Sequence, residues 1–288
     1  MTVRSELDAL CLKRCLERGA SLVLVKAITS IREDSEGVEV GTNLGALRAR
    51  YCLGADGAAS VVRRLSQEFP ESTRGFAIEG IVRSGGDASD PPEFDFFLVP
   101  RGYGWIFPKG DHLNVGLYTS DSRIPVKREM LNEYVQRKLG HQVISEVSAH
   151  GLGFGGWKYR PRMNRVFLVG DAAGLAEPLL GEGICNAIAS GQAAAKAILA
   201  ADTSGLQARQ VFQDELRPIQ LDVLSCARSA RWFYRFPGLG FRLLTLPTTR
   251  YLLMRGFSGG FRFRTIKSQP WRVVAGREVN TLGSGPSS

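Results

Sequence analysis

Apolar and polar positions divide the chain into segments of different period. In residues 5–18, Leu7, Leu10, Cys11 and Cys15 recur at three- and four-residue spacing. That spacing predicts a helix with one core-facing side, closed by Gly19. Ser5, with Asp8 three residues on, resembles a capping box at its start. Residues 21–25, 37–42 and 46–52 alternate or run apolar and predict strands. Alternation returns at 75–82, 94–99, 104–107 and 112–118, separated by polar turns, and predicts antiparallel strands followed by a helix over 126–139. The short run 166–169, stopped by Gly170, predicts a buried strand, and an Ala-rich helix follows to Ala201. Residues 207–234 predict a helix, with Pro218 as a candidate break point. Residues 241–263 mix Leu, Phe, Tyr and Arg, and 276–288 are Gly/Ser-rich with a disordered tail expected.

These segments describe an α/β chain with an α+β insert. Residues 1–70 and 158–202 form one strand-and-helix unit, 71–157 an inserted antiparallel sheet for substrate, 203–275 a C-terminal helical region and 276–288 the tail.

Charge changes the picture in one place. The net charge is +9, yet residues 223–277 hold 11 Arg and Lys and no Asp or Glu. The rest of the chain is therefore slightly acidic, and the basicity belongs to one segment. With aromatic and Leu residues interleaved, the 226–277 stretch suits peripheral contact with an anionic membrane face. No nucleic-acid motif accompanies it, so no nucleic-acid partner is expected. Five cysteines without a C-x-x-C pair, and three separated histidines, give no metal pattern and suit a reducing, cytoplasmic compartment, peripheral at the inner face of the membrane. Neither a signal peptide nor an apolar run of spanning length is visible.

Two strand ends carry the candidate chemistry. Asp56-Gly57 follows the strand ending near Gly54, with Ser60 placed to cap a short helix, and Gly170-Asp171 follows the 166–169 run. An acid at a strand's carboxyl end before a glycine-rich helix start suits a phosphorylated cofactor, because unpaired N–H groups and the helix dipole gather there. Gly151, Gly153 and Gly156 satisfy G-x-G-x-x-G literally, but a basic connector rather than a helix follows, so they are read as a strand end.

The two motifs in this order resemble the flavoprotein class of aromatic hydroxylases, flavin halogenases and geranylgeranyl reductases. Residues 178–184, P-L-L-G-E-G-I, and 103–108, Y-G-W-I-F-P, resemble the geranylgeranyl reductase family most. The resemblance spans about residues 3–264. It implies a partial FAD-binding Rossmann-like domain and FAD as cofactor. It implies Asp56 and Gly57 near FAD and the nicotinamide, and Gly170 and Asp171 at the ribitol. Pro178, Gly181, Glu182, Gly183 and Ile184 then lie at the flavin edge. Arg4, in V-R-x-x-L-D, reaches toward the FAD phosphates. Tyr103, Trp105, Phe107, Pro108 and Gly116 line a lipid pocket, with Tyr118 where the family's second glycine of G-x-G stands.

The implied function is reduction of an isoprenoid double bond by hydride from reduced flavin, with reduced nicotinamide or ferredoxin as electron donor. A monooxygenase or halogenase on an aromatic substrate is the second reading. A truncated, FAD-incompetent module that binds lipid or membrane is the third, because the family's N-terminal strand, G-x-G-x-x-G and helix have no counterpart here. A misassigned start, a fragment or a separate partner chain would each explain that. No catalytic proton donor stands out: Glu182 reads as structural at the helix start and Cys185 as a packing position.

Overall fold

A computed structural model of the chain describes residues 4–69, 72–83, 90–140, 143–205 and 207–275. The chain opens with α1 (Arg4–Glu17), then β1 (Ile28–Glu33), β2 (Val38–Thr42), β3 (Gly45–Ala49), β4 (Cys52–Gly54) and α2 (Val61–Leu65). The inserted elements are β5 (Thr73–Arg83), β6 (Glu93–Phe96), β7 (Gly102–Pro108), β8 (His112–Thr119), α3 (Arg128–Leu139) and β9 (Ile144–Phe154). Then come β10 (Val166–Leu168), α4 (Ile184–Ser204), α5 (Ala208–Arg235), α6 (Pro237–Thr245), α7 (Pro247–Ser258), α8 (Phe263–Ser268) and α9 (Pro270–Ala275).

The described residues form three sheets. β1, β2 and β3 form an antiparallel meander, β4 and β10 pair in parallel, and five strands order as β6-β7-β8-β5-β9. One core joins Val166, Phe167 and Leu168 of β10 to Ala193, Ala194 and Ala197 of α4 and to Phe212, Leu216, Ile219 and Val223 of α5. A second packs Leu131, Tyr134 and Val135 of α3 on Ile78, Val82, Val115 and Leu117 of the large sheet. The opposite face of that sheet carries Tyr103, Trp105 and Tyr118, which pack toward Phe154, Ala176 and Leu180. The sheet therefore stands between α3 and the segment that follows β10.

Four expectations are corrected. Helix α1 forms, but none of its residues is buried, and Cys11 and Cys15 are exposed rather than core. Its start carries an Arg4–Asp8 ion pair in place of the capping box. No strand forms at 21–25, where Leu22, Val23 and Leu24 are exposed; a strand needs a hydrogen-bonding neighbour, and none lies beside this stretch among the described residues. Strand β1 escapes the apolar pattern because Thr29, Ser30 and Arg32 interrupt it, yet it pairs with β2 along its length. Helix α5 runs through Pro218 unbroken. Its buried side, Phe212, Leu216, Ile219 and Val223, continues across the proline, and that packing offsets the roughly 3 kcal/mol the lost hydrogen bond costs.

Helix α4 is, among the described residues, the one helix long and apolar enough to cross a membrane by length and composition. Its buried side is Ser190, Ala193, Ala194 and Ala197, which meets α5 and the core. The 276–288 tail lies outside the described residues.

Candidate functional site

The two acidic motifs share one end of a parallel strand pair. β4 and β10 are aligned with Gly54 opposite Leu168, and Val169 N–H donates to Gly54 O at 3.0 Å. Both Asp56 and Asp171 follow directly, at the carboxyl ends of adjacent parallel strands, which is where open α/β sheets bind ligands.

The two acids are used differently. Asp56 accepts from Ser60 Oγ through Oδ1 and from Val61 and Val62 N–H through Oδ2, at 2.7 and 3.1 Å. Both of its oxygens are engaged in starting α2, for which Ser60 is the N-cap. Asp171 sits in a turn, residues 170–173, and among the described residues uses only Oδ2, which accepts from Gly153 N–H at 3.1 Å. Burial pushes its carboxyl above the usual range, opposed by that bond and by the positive charge of Arg4. Arg4 itself is exposed and bonded to Asp8.

Past Asp171 the chain enters the 177–183 turn and then α4. Gly183, the residue before α4, supplies no side-chain cap, and the N–H groups of Gly183 and Ile184 have no acceptor among the described residues. Glu182 accepts from Cys185 N–H at 2.9 Å, so it satisfies one donor and leaves the first two open. A Cβ on Gly183 would stand 2.9 Å from Asp171 Oδ1. Gly181 has φ +73°, and a Cβ there would press on the Tyr118 ring at 2.9 Å. The two glycines form a closely packed corner in which Gly183 lies against the acceptor Asp171 Oδ1 and Gly181 against Tyr118.

The aromatic face of the sheet leans on the same turn. Tyr103, Trp105 and Phe107 alternate along β7 and share one face, as the period of a strand requires. Tyr103 Oη donates to Leu180 O at 2.5 Å, and Tyr118 Oη to Pro178 O at 3.0 Å. Gly116 stands opposite Trp105 across β7 and β8, and a Cβ there would overlap the indole. Trp105 Nε1 donates to Asn114 Oδ1 at 2.7 Å. Pro108 is in register with Leu113 and shares the other face of β7 with Ile106. Tyr118 is fully buried beside Gly181, so the larger side chain at this position is part of the turn's packing.

Three further groups belong to this corner and were not legible in the sequence. Glu177 accepts from Leu179, Leu180 and Glu182 N–H at 2.8, 2.7 and 3.3 Å. Tyr234, at the end of α5, donates to Leu179 O at 2.7 Å. Gly153, set aside as part of a strand end, contacts the Asp171 backbone so closely that a Cβ would overlap it. The acid directly before Pro178 was the one available signal; nothing in the spacing tied it to amides two to five residues on.

A parallel strand pair with acids at its ends, a glycine-kept helix start and an inserted antiparallel sheet define a flavoprotein-type nucleotide fold. Residues 3–211 match the FAD binding domain family, and the chain belongs to it. It is 32% identical over 270 residues to an uncharacterised protein of Methanosarcina barkeri, covering 91% of this chain and 69% of that one. It is 32% identical over 249 residues to digeranylgeranylglycerophospholipid reductase 1 of Methanopyrus kandleri, covering 78% and 65%. Among solved structures it resembles a geranylgeranyl bacteriochlorophyll reductase-like protein from Thermoplasma acidophilum, with a TM-score of 0.67 and 24% identity over 79% of this chain and 63% of that one. The chain thus spans about two thirds of the length of these proteins. The sequence relatives agree with the geranylgeranyl reductase resemblance, and the structural likeness is one of fold.

Proposed function

We propose that this chain carries the flavin-ring side of an FAD-dependent reductase acting on isoprenoid double bonds of the geranylgeranyl type. The carrying observation is the Tyr103–Leu180 hydrogen bond, which joins the aromatic face of β7 to the turn before α4. The donor and acceptor set fits FAD. Asp171 Oδ1 is open to a ribitol hydroxyl, and the Gly183 and Ile184 N–H groups suit the edge of the ring that gains negative charge on reduction. Bound flavin would supply the hydride. The chain's own part is to hold the ring beside Gly183, and to offer an alkene the aromatic cluster of Tyr103, Trp105 and Phe107 at its accessible members, Phe107 and the adjoining Phe94.

The names of the relatives support an isoprenoid lipid as substrate class. The exposed Trp232, Phe236, Leu239 and Phe241, interleaved with Arg231, Arg235 and Arg242, support peripheral contact of this substrate's host membrane with the C-terminal helices. The test is to purify the chain, add FAD, remove excess and record the visible spectrum. The retained flavin is then reduced without oxygen and a geranylgeranyl lipid is offered. Reoxidation of the flavin with loss of the alkene supports the reading. Reoxidation only when oxygen is admitted would replace it with a monooxygenase or halogenase, and a colourless chain would replace it with a lipid-binding module.

A further inference from the structure

The 177–183 turn is held at nearly every polar backbone atom, and the groups that hold it come from four parts of the chain. Glu177 lies at its start, is buried, and accepts three N–H groups of the turn itself. Its own N–H donates to Glu182 O at 2.8 Å, and Gly181 N–H returns to Glu177 O at 2.9 Å. Three successive carbonyls, Pro178, Leu179 and Leu180, each accept one tyrosine hydroxyl: Tyr118 from β8, Tyr234 from α5 and Tyr103 from β7. Nothing in the local sequence would produce that arrangement, because three hydroxyls must arrive from three distant elements.

We propose that Glu177 is a positioning residue that, with these tyrosines, fixes the direction of the free Gly183 and Ile184 N–H groups, and that its ionised form holds the turn in the flavin-binding geometry while its protonated form loosens it. The second half rests on the flavin reading above; the first half does not. The physical reason is the acceptor strength of the carboxylate. An ionised carboxylate bonds N–H groups about twice as strongly as a neutral acceptor. Protonation weakens all three bonds at once, and among the described residues these amides have no acceptor besides Glu177.

The charge environment makes that switch accessible. Burial pushes Glu177 up to about 7, against the three N–H bonds that favour the charged form, and Glu182 adds to the rise. The other titratable groups facing Glu177 are Tyr103 from β7, Tyr118 from β8, and Tyr234 and Cys226 from α5. Burial pushes all four up, so they stay neutral through the range in which Glu177 titrates. Among the described residues no Lys, Arg or His makes an ion pair with Glu177. The carboxyl is left to answer to pH and to the amides.

The experiment uses the full chain in two readouts. In the FAD-free chain, the amide signals of Leu179, Leu180 and Glu182 are followed by NMR from pH 5.5 to 8.5. A shared titration near pH 7 in the wild type, lost in Glu177→Gln, is expected. Flat signals in the wild type overturn the proposal outright. In the second readout, FAD affinity is measured at both ends of that range. It should rise at least threefold toward high pH in the wild type and be level in Glu177→Gln. A Glu177→Gln chain that keeps the wild-type slope overturns the switch. If the Gln variant does not fold, Tyr234→Phe decides. Removing one outside hydroxyl should speed hydrogen exchange across 178–183 by a larger factor than across α3, which shares none of these contacts, and lower FAD affinity, and equal factors in the two segments overturn the proposal. A wild type that takes up no FAD at any pH defeats the flavin reading, while the amide titration still decides the positioning role.

Discussion

The buried guanidinium of Arg63 donates to Ala172 O at 2.7 Å and to Ala58 O at 2.6 Å. It thereby ties the turn after β4 to the turn after β10, which the strand pairing alone aligns only as far as Leu168. Burial and the charge of Arg74 pull Arg63 below its usual range, and Asp56 opposes them.

Arg63→Ala should therefore cost more than a surface arginine would. It leaves two carbonyls, both on buried alanines, without their donor. A loss of about 3 kcal/mol is expected from urea unfolding, with FAD binding lost in step. A change under about 1 kcal/mol would remove Arg63 as the link between the motifs.

Gly181→Ala tests the turn from the other side. The φ of +73° is unfavourable for any side chain, and the new methyl meets Tyr118. Expected are a stability loss of about 2 kcal/mol and a fall in FAD affinity measured by flavin fluorescence. Retained affinity would mean that the corner is wider than the Tyr118 contact implies.

Glu177 also leaves a mark on global stability, and its sign follows from burial. The folded chain keeps a proton on Glu177 up to about pH 7, whereas the unfolded chain loses it near the ordinary Glu value. Between these limits the folded state binds more protons, so stability falls as pH rises. The contribution is complete at low pH and gone above about pH 7, and it amounts to on the order of 3 kcal/mol. Asp171 and Asp222, whose carboxyls burial also pushes up, act in the same direction. The check is the difference between wild type and Glu177→Gln in Tm from pH 5 to pH 8: the variant should have the shallower slope.

The C-terminal surface predicts binding to vesicles that contain anionic lipid. Reversing Arg231, Arg235 and Arg242 to Glu should weaken co-sedimentation by at least a hundredfold, at about 1 kcal/mol for each arginine lost. Binding that survives both the reversal and high salt would be apolar rather than electrostatic.

Much of this site could be read from the chain in one dimension. The acids at strand ends, the Ser60 cap and the shared face of Tyr103, Trp105 and Phe107 follow from local spacing, and the structure has each of them. What local spacing could not yield was what each group is engaged with. Asp56 and Asp171 look alike in sequence, yet one has both oxygens on α2 and the other keeps an oxygen open. Glu177 and Tyr234 are 57 positions apart, and only the packing of α5 beside the turn brings them to one segment. The apolar stripe of α1 is as regular as that of many core helices, and no described neighbour covers it. Periodicity reports that a face is apolar and says nothing of whether it is met.

Trp105 gives the corner a built-in gauge. Its indole is buried against Gly116 and anchored to Asn114, whereas Trp157 is half-buried against the other core and Trp232 and Trp271 stand exposed. The two sheltered indoles are expected to emit to the blue of the two exposed ones, a yellow chromophore settling beside Tyr103 is expected to drain the Trp105 share first, and Trp105→Phe separates that share from the Trp157 share. Occupancy of the site can thus be followed by light from the protein itself, with no label and no turnover.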